Sequence, residues 1–414
     1  MRVETFDILR CPYCGGRLTL VEQLPHRRDD REIRDGILGC YCCIFPVVDG
    51  IPILHLQAPA VPARELVEAG RFDLARRTMF GLDDDEHAQG FDAVAASPTA
   101  TYRETVEALG PDFEGGYFLY RFSDPTFIVA DAVVQAVGRA TLGSARRAID
   151  VCGGSGHLTR TLMDLTSEPP VLADLFFAKA WLARRFTAPG CEPVCCDGNS
   201  PMPFAPGVFS LAMCTDAFMY IWTKRQFVGD MIRLIDPRQG AVLIGHTHNE
   251  RTWSPSHGQP LPPEGYAALF ETLEPRIFGE VALFADVVGG GPLDLTRREP
   301  QEALDNDPAL TIVASAHPAV FAAHPLRDRT AAGGEFRVNP LYAAEPIGDR
   351  IRLRLRFPSD DYEQECGACR RYLPDELTLD RATLDTLAHG GALTGELIDL
   401  ARTKVVVDLP KRYY

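Results

Sequence analysis

The chain has 414 residues, 46% of them hydrophobic, and a formal net charge of −15 at pH 7. That apolar content supplies a full core, yet no apolar run approaches the length that spans a bilayer, and the acidic balance argues against general nucleic-acid binding, which needs a basic face to release counterions. The basic residues fall in small scattered groups such as Arg27-Arg28, Arg184-Arg185 and Arg297-Arg298, the usual pattern of solvated or ion-paired surface.

In chain order, the first residues carry charges of both signs and lead into a cysteine-rich segment with no signal-peptide pattern. The twelve cysteines therefore predict metal binding and reduced thiols in a cytoplasmic setting, not a disulfide framework. Cys11-Pro12-Tyr13-Cys14-Gly15-Gly16 and Cys40-Tyr41-Cys42-Cys43 form two C-x-x-C knuckles, each placing two thiolates on a tight turn. Cys11, Cys14, Cys40 and Cys43 are the predicted ligands of one structural zinc ion; Cys42 in place of Cys43 would shorten the second knuckle. With the flanking Ile8-Leu9-Arg10 and Phe45-Pro46-Val47-Val48-Asp49-Gly50-Ile51-Pro52-Ile53-Leu54, residues 1–56 resemble the Trm112-like zinc-ribbon family. The resemblance implies a module too small to fold on its own core, stabilised by its metal, with Ile51-Pro52-Ile53-Leu54 laid near a neighbouring sheet. Residues 57–145 read as a Pro/Ala-rich linker and a helical segment covering the site, with the most apolar helix over 127–137.

Ala148-Ile149-Asp150-Val151 then reads as an apolar strand, Cys152-Gly153-Gly154-Ser155-Gly156 as a glycine-rich turn and His157-Leu158-Thr159 as a helix start, the arrangement that brings backbone amides close to a ligand. A second strand-like segment, Pro170-Val171-Leu172-Ala173-Asp174, ends in an acid about twenty residues downstream, where a carboxylate reaches ribose hydroxyls. Thr159 stands where a dinucleotide turn needs its last glycine, and Asp150 would repel a pyrophosphate but welcome a cationic cofactor tail. Both points favour S-adenosylmethionine. The segment resembles motif I of the class I S-adenosylmethionine-dependent methyltransferases, and the resemblance continues through Cys196-Asp197-Gly198-Asn199, Pro201-Met202-Pro203-Phe204 and a fourth strand at Val208-Phe209-Ser210-Leu211-Ala212-Met213. It implies an α/β fold, a Rossmann-like seven-stranded sheet over 146–324, with Asp150, Gly153, Gly154, Gly156, Asp174, Leu175, Asp197 and Gly198 around the cofactor and Asp197 facing the adenine amino group. Cys152 departs from the family's first glycine and predicts an altered turn. In the family the segment before strand one often covers the cofactor, which makes Tyr120 and Arg121 candidates for its ring and carboxylate ends; a core aromatic cluster is the alternative.

An amphipathic helix over 226–235 and a strand over 241–245 follow, and segments near 277–288 and 310–316 are expected as the last, antiparallel strands. Chemistry outside the carboxyl ends of strands four and five places Asp216, Tyr220, His246, His248 and Asn249 near the transferred methyl group. His246 or His248 is the expected general base, because imidazole titrates near neutrality. The two rings of a His-x-His strand point the same way, which also suits a metal with Asp216 as third ligand. Residues 325–414 read as a C-terminal α+β extension with an alternating strand over 351–357 and a third C-x-x-C, Cys366-Gly367-Ala368-Cys369, that lacks a partner pair.

The expected function is methylation of a small-molecule metabolite, in specialised biosynthesis, by a protein with no membrane or nucleic-acid partner; homo-oligomerisation stays open. Modification of RNA or protein is the alternative, because free-standing Trm112-like proteins partner such enzymes. Against it, Thr215-Asp216-Ala217-Phe218-Met219-Tyr220 stands where those enzymes carry an Asn/Asp-Pro-Pro-Tyr/Phe clamp. A cofactor-binding scaffold without turnover is the remaining reading.

Overall fold

A computed structural model describes residues 1–110, 118–143, 146–253, 258–328, 334–388 and 393–414; Tyr117 and Ser144, ends of two expected segments, lie outside these. The N-terminal module is a small antiparallel sheet of β1 (Ile33–Gly39), β2 (Ile44–Val48) and β3 (Ile51–Pro52). Asp49 and Gly50 join β2 to β3 with φ of 46° and 75°, the two left-handed residues that a tight primed hairpin turn requires and that an Asp-Gly pair accepts.

Four helices follow: α1 (Ala60–Glu68), α2 (Phe72–Phe80), α3 (Asp85–Ala96) and α4 (Tyr102–Leu109). The helix α5 (Pro125–Thr141) starts where expected, with Pro125 in its first turn and the Asp124 side chain accepting the Phe127 amide at 2.6 Å.

The central sheet is built from β4 (Ala148–Val151), β5 (Val171–Asp174), β6 (Glu192–Cys195), β7 (Leu211–Thr215), β8 (Ala241–His248), β9 (Pro275–Gly279) and β10 (Ala309–Ser315), with the order β9-β10-β8-β7-β4-β5-β6. Strands β4 to β8 are mutually parallel, and β10 runs antiparallel between β8 and β9. Every residue of β4, β5, β6 and β7 is buried, as a parallel sheet covered on both faces demands. One face carries α5 and the N-terminal helices. The other carries Phe227, Val228, Met231 and Leu234 of an amphipathic helix, together with Leu9, Phe45 and Val47 of the N-terminal module.

One expected strand is corrected. Of the 277–288 segment only 277–279 is extended, as the end of the strand Pro275–Gly279, which lies parallel to β8; Glu280–Gly289 is a helix. Leu283, Phe284, Val287 and Val288 recur at helical spacing and face the core beside α5, so the longer period prevails over local β propensity.

The N-terminal module continues the sheet past β6. Ile53 bridges Cys195 in parallel, and the Leu54 amide donates to the Cys195 carbonyl at 2.7 Å. Trp181 Nε1 donates to Asp49 at 2.8 Å, and Thr5 Oγ1 and Arg2 both hold Glu192. At the other end of the chain, β11 (Glu335–Val338) pairs with the strand Val406–Leu409, beside a three-stranded antiparallel sheet of Tyr342–Ile347, Arg350–Leu355 and Glu376–Asp380. This extension is tied to the helix after β4: Arg160 pairs with Asp408 at 2.7 Å, and His157 and Tyr413 share a 2.7 Å hydrogen bond while Tyr413 stacks on Tyr102.

Because Ile53 is fully buried at the junction, Ile53→Ala is expected to cost about 2–5 kcal/mol, measured as a lowered midpoint in reversible denaturant unfolding; an unchanged midpoint would mean that the module contributes nothing to the sheet.

Candidate active site

A cleft of about 910 Å³ opens at the carboxyl ends of β4, β5, β7 and β8, the place where open α/β sheets keep their ligands. The chain leaves β4 through Cys152 at φ 59°, Gly154 at φ 55° and Gly156 at φ 78°. Cys152 thus adopts a left-handed conformation that costs an L-residue on the order of 1–2 kcal/mol, which is the altered turn its replacement of glycine predicts. A Cβ on Gly153 would lie 2.8 Å from the Asp150 carboxyl carbon, so the turn can fold over that carboxyl only with glycine there.

Asp150, Gly153, Gly154, Asp174, Leu175, Asp197 and Gly198 all line this cleft. Asp174 accepts the Gly154 amide through one oxygen and the Phe176 amide through the other, both at 2.9 Å, so it fixes the turn as well as facing the cavity. Asp150 is buried and accepts from Thr159 Oγ1 at 2.6 Å. Burial pushes its carboxyl up to about 7 against the pull of Thr159, and the Asp174 charge adds to the rise. Asp197 accepts Gln57 Nε2 at 2.7 Å and the Asn199 amide at 2.9 Å, which links the linker to the cleft. Gly156 does not line the cleft: its added Cβ would meet Ala183 at 2.8 Å, so this glycine permits close packing beneath the turn.

Tyr120 and Arg121 separate. Tyr120 is not a cleft residue; it packs against the C-terminal extension, 5.7 Å from the Tyr362 ring. Arg121 lines the cleft, but its guanidinium is buried between Asp124 at 3.3 Å and Asp216 at 2.9 Å. The one-turn helix Arg121–Ser123 begins between them and sends the two neighbours to different sides.

The far half of the cleft holds Asp216, Tyr220, His246 and His248. Asn249 is fully buried instead, donating to the Leu304 and Asp307 carbonyls at 2.9 Å, a structural role. The two histidines converge despite an irregular strand: β8 shifts register between Ile244 and Thr247, and His246 sits at φ 46°. Glu280, which the sequence reading missed by treating its segment as strand, accepts His246 Nδ1 at 2.6 Å and the His246 amide at 2.9 Å, and Thr311 Oγ1 donates to it at 2.8 Å. Burial disfavours charge on His246, but Glu280 overrides it and holds the ring at about 9. Burial, joined by the charge of His246, lowers His248. The two rings are thus shifted in opposite directions, His246 upward by its contact with Glu280 and His248 downward by burial.

The extension also enters the cleft: Gln364, Glu365 and Cys366, on the helix Asp360–Cys366, line it, as do Trp253 and Thr126. No sequence motif announced them. Cys366 and Cys369 are both buried, and Cys369 Sγ lies 3.6 Å from the Ser123 carbonyl.

At the N-terminal module the four thiols that converge are Cys11, Cys14, Cys40 and Cys42, all within 4.8 Å of one another. Cys43, the expected fourth ligand, lies outside that set, although its sulfur stands 3.4 Å from that of Cys42 and the residue packs partly against the core beneath β2. The sulfurs of Cys11 and Cys42 are 3.6 Å apart, those of Cys14 and Cys40 3.7 Å and those of Cys40 and Cys42 3.6 Å. A tetrahedral ion with ~2.3 Å bonds to sulfur needs edges of about 3.8 Å, so this donor set fits zinc. Gly16 completes the knuckle; a Cβ there would come within 3.2 Å of Cys14 Sγ.

No family model matches the chain, and no curated protein matches its sequence. Solved structures similar to it include the geranyl diphosphate C-methyltransferase of Streptomyces coelicolor A3(2), 13% identical over 54% of this chain and 83% of that one with a TM-score of 0.34. The cyclase SpnF is 16% identical over 48% and 82% with a TM-score of 0.33, and the YcgJ protein of Bacillus subtilis 16% identical over 44% and 97% with a TM-score of 0.33. The strand order with its one antiparallel member, feeding a glycine turn flanked by acids, decides the architecture. The fold is the class I methyltransferase fold. Among the described residues no helix is long and apolar enough to cross a membrane.

The thiol geometry predicts that the purified chain carries one zinc ion, that Cys42→Ser loses it and that Cys43→Ser keeps it, as read by elemental analysis; the reverse pattern would restore Cys43 as the ligand.

Proposed function

We propose that the chain is an S-adenosylmethionine-dependent methyltransferase for a small-molecule acceptor, with a Trm112-like zinc ribbon fused in cis as a structural module. The observation that carries this is one cleft into which Asp150, Asp174 and Asp197 converge beside the Gly153-Gly154 turn. Three acids facing one cavity favour a cationic ligand over a pyrophosphate. Asp174 would hold the ribose hydroxyls, Asp197 the adenine amino group and Asp150, behind the turn, the ammonium end. Bound S-adenosylmethionine supplies an electrophilic methyl group on a sulfonium.

What remains for the protein is orientation, since an in-line displacement depends on placing acceptor and methyl along one axis. Asp216, Tyr220, His246 and His248 are the residues we assign to this, with the Glu280 contact fixing the His246 ring. The helix Asp360–Cys366 across the acceptor end supports a compact acceptor over RNA or protein.

The test is to incubate the protein with methyl-labelled S-adenosylmethionine and a source-cell extract, then separate metabolites from RNA and protein. Label among metabolites supports the reading; label in a macromolecule, or tight S-adenosylhomocysteine binding with no turnover, overturns it.

Asp174→Ala is expected to weaken S-adenosylhomocysteine binding by about tenfold or more, the loss of a charge-assisted hydrogen bond; unchanged affinity in calorimetry would mean that the cofactor lies elsewhere. A pH effect follows from Asp150. Its carboxyl is protonated below about 7 and charged above, so affinity for the cationic cofactor should rise by about tenfold between pH 6 and pH 8, and Asp150→Asn should flatten the rise. The stability of the free protein moves the other way: the folded state holds this proton more tightly than the unfolded one, so Asp150's contribution is full below its ordinary value of 3.8 and is lost as pH climbs through about 7.

A further inference from the structure

We propose that Asp216, His246 and His248 form a binding site for a first-row divalent metal ion at the acceptor end of the cleft, where it would anchor an acceptor bearing oxygen donors. The inference deepens the methyltransferase reading, on which only the role of the ion depends; ion binding itself is independent of it. One ligand atom from each of the three residues lies within 4.8 Å of the others. All three residues line the cavity. Two imidazoles and one carboxylate on a cavity wall leave coordination positions open toward the interior, the arrangement that binds divalent ions and still admits a ligand.

The surroundings match what a metal-binding histidine needs. Glu280 occupies His246 Nδ1 at 2.6 Å, which leaves Nε2 as the ligating atom, and Glu280 is itself fixed by Thr311 and the His246 amide. His246 Nε2 has only a long contact, 3.5 Å to Thr126 Oγ1. Asp216 gives one oxygen to Arg121, and a carboxylate has a second. Asp216 at φ 57° and His246 at φ 46° are both left-handed non-glycine residues, on adjacent strand ends. Two such outliers side by side on the wall of a cavity are the kind of strain that a site retains for function.

Formal charge points the same way. Asp124 and Asp216 pair with Arg121, Glu280 pairs with His246, and Glu365 faces Asp216 from the extension. Four carboxyl groups thus stand beside two basic groups, an acidic balance that favours a cation. With an ion in place His248 would be a ligand, and acidification of a bound acceptor oxygen would pass to the metal.

The test uses the full chain with its cysteine site zinc-loaded, titrated with Mn²⁺ and followed by the electron paramagnetic resonance signal of the free ion; Mn²⁺ prefers oxygen and imidazole to thiolate. One Mn²⁺ should bind per chain. His248→Gln and Asp216→Asn should weaken it by at least about tenfold, and Glu280→Gln by about ten- to hundredfold, the usual effect of removing a ligand's supporting partner. Cys42→Ser should leave Mn²⁺ binding unchanged. S-adenosylhomocysteine binding, measured on each variant, identifies those that keep their fold. Absence of Mn²⁺ binding by the parent chain, or equal binding by His248→Gln and Asp216→Asn, overturns the site and leaves the cofactor reading standing; Mn²⁺ binding without any affinity for S-adenosylmethionine upholds the site and removes the cofactor reading.

Discussion

A guanidinium taken out of water must be met by negative charge, and Arg121 is that constraint in this protein. It is 5% exposed and lies between Asp124 and Asp216. Removing either partner would weaken the compensation of this buried charge. Each partner has a second duty. Asp124 caps α5, the helix along one face of the sheet. Asp216 ends β7 in a strained conformation that turns its carboxylate toward the histidines of β8. The same ion pair that settles the entry of the covering segment therefore also shapes the acceptor half of the cleft.

The half of the cleft around the glycine turn was legible in the sequence because its signals are local. A strand, its glycine turn and the acids at three strand ends lie at spacings that backbone geometry dictates, so Asp150, Asp174 and Asp197 could be found without knowing what packs where. The acceptor half was legible only in part. Asp216, Tyr220, His246 and His248 follow from the rule that ligands sit beyond strand ends, but Glu280 was hidden once 277–288 was read as strand, although its acid at a helix start carried a signal. Gln364 and Glu365 arrive from a segment with no motif, brought in by tertiary packing alone.

Adjacent residues are the hardest to tell apart. Cys42 belongs to the set of four thiols while Cys43 touches it only through the Cys42 sulfur, and Arg121 lines the cleft while Tyr120 packs on the C-terminal extension. Composition cannot choose between adjacent residues. A turn or a strand entry does, through the alternation of side-chain direction. Gly156 is a different case: it is absent from the cleft lining, and a Cβ there would meet Ala183 beneath the turn.

The junction at β6 has a consequence for the protein's behaviour in the cell. The strand that would otherwise end the sheet is partnered by Ile53 and Leu54, residues that belong to the cysteine module. An unpartnered sheet edge is a template for pairing with other chains. Four clustered thiols are sensitive to oxidation and, once loaded with metal, to chelators. Loss of order there would bare the backbone of Glu192–Cys195 and open the sheet edge to pairing with other chains.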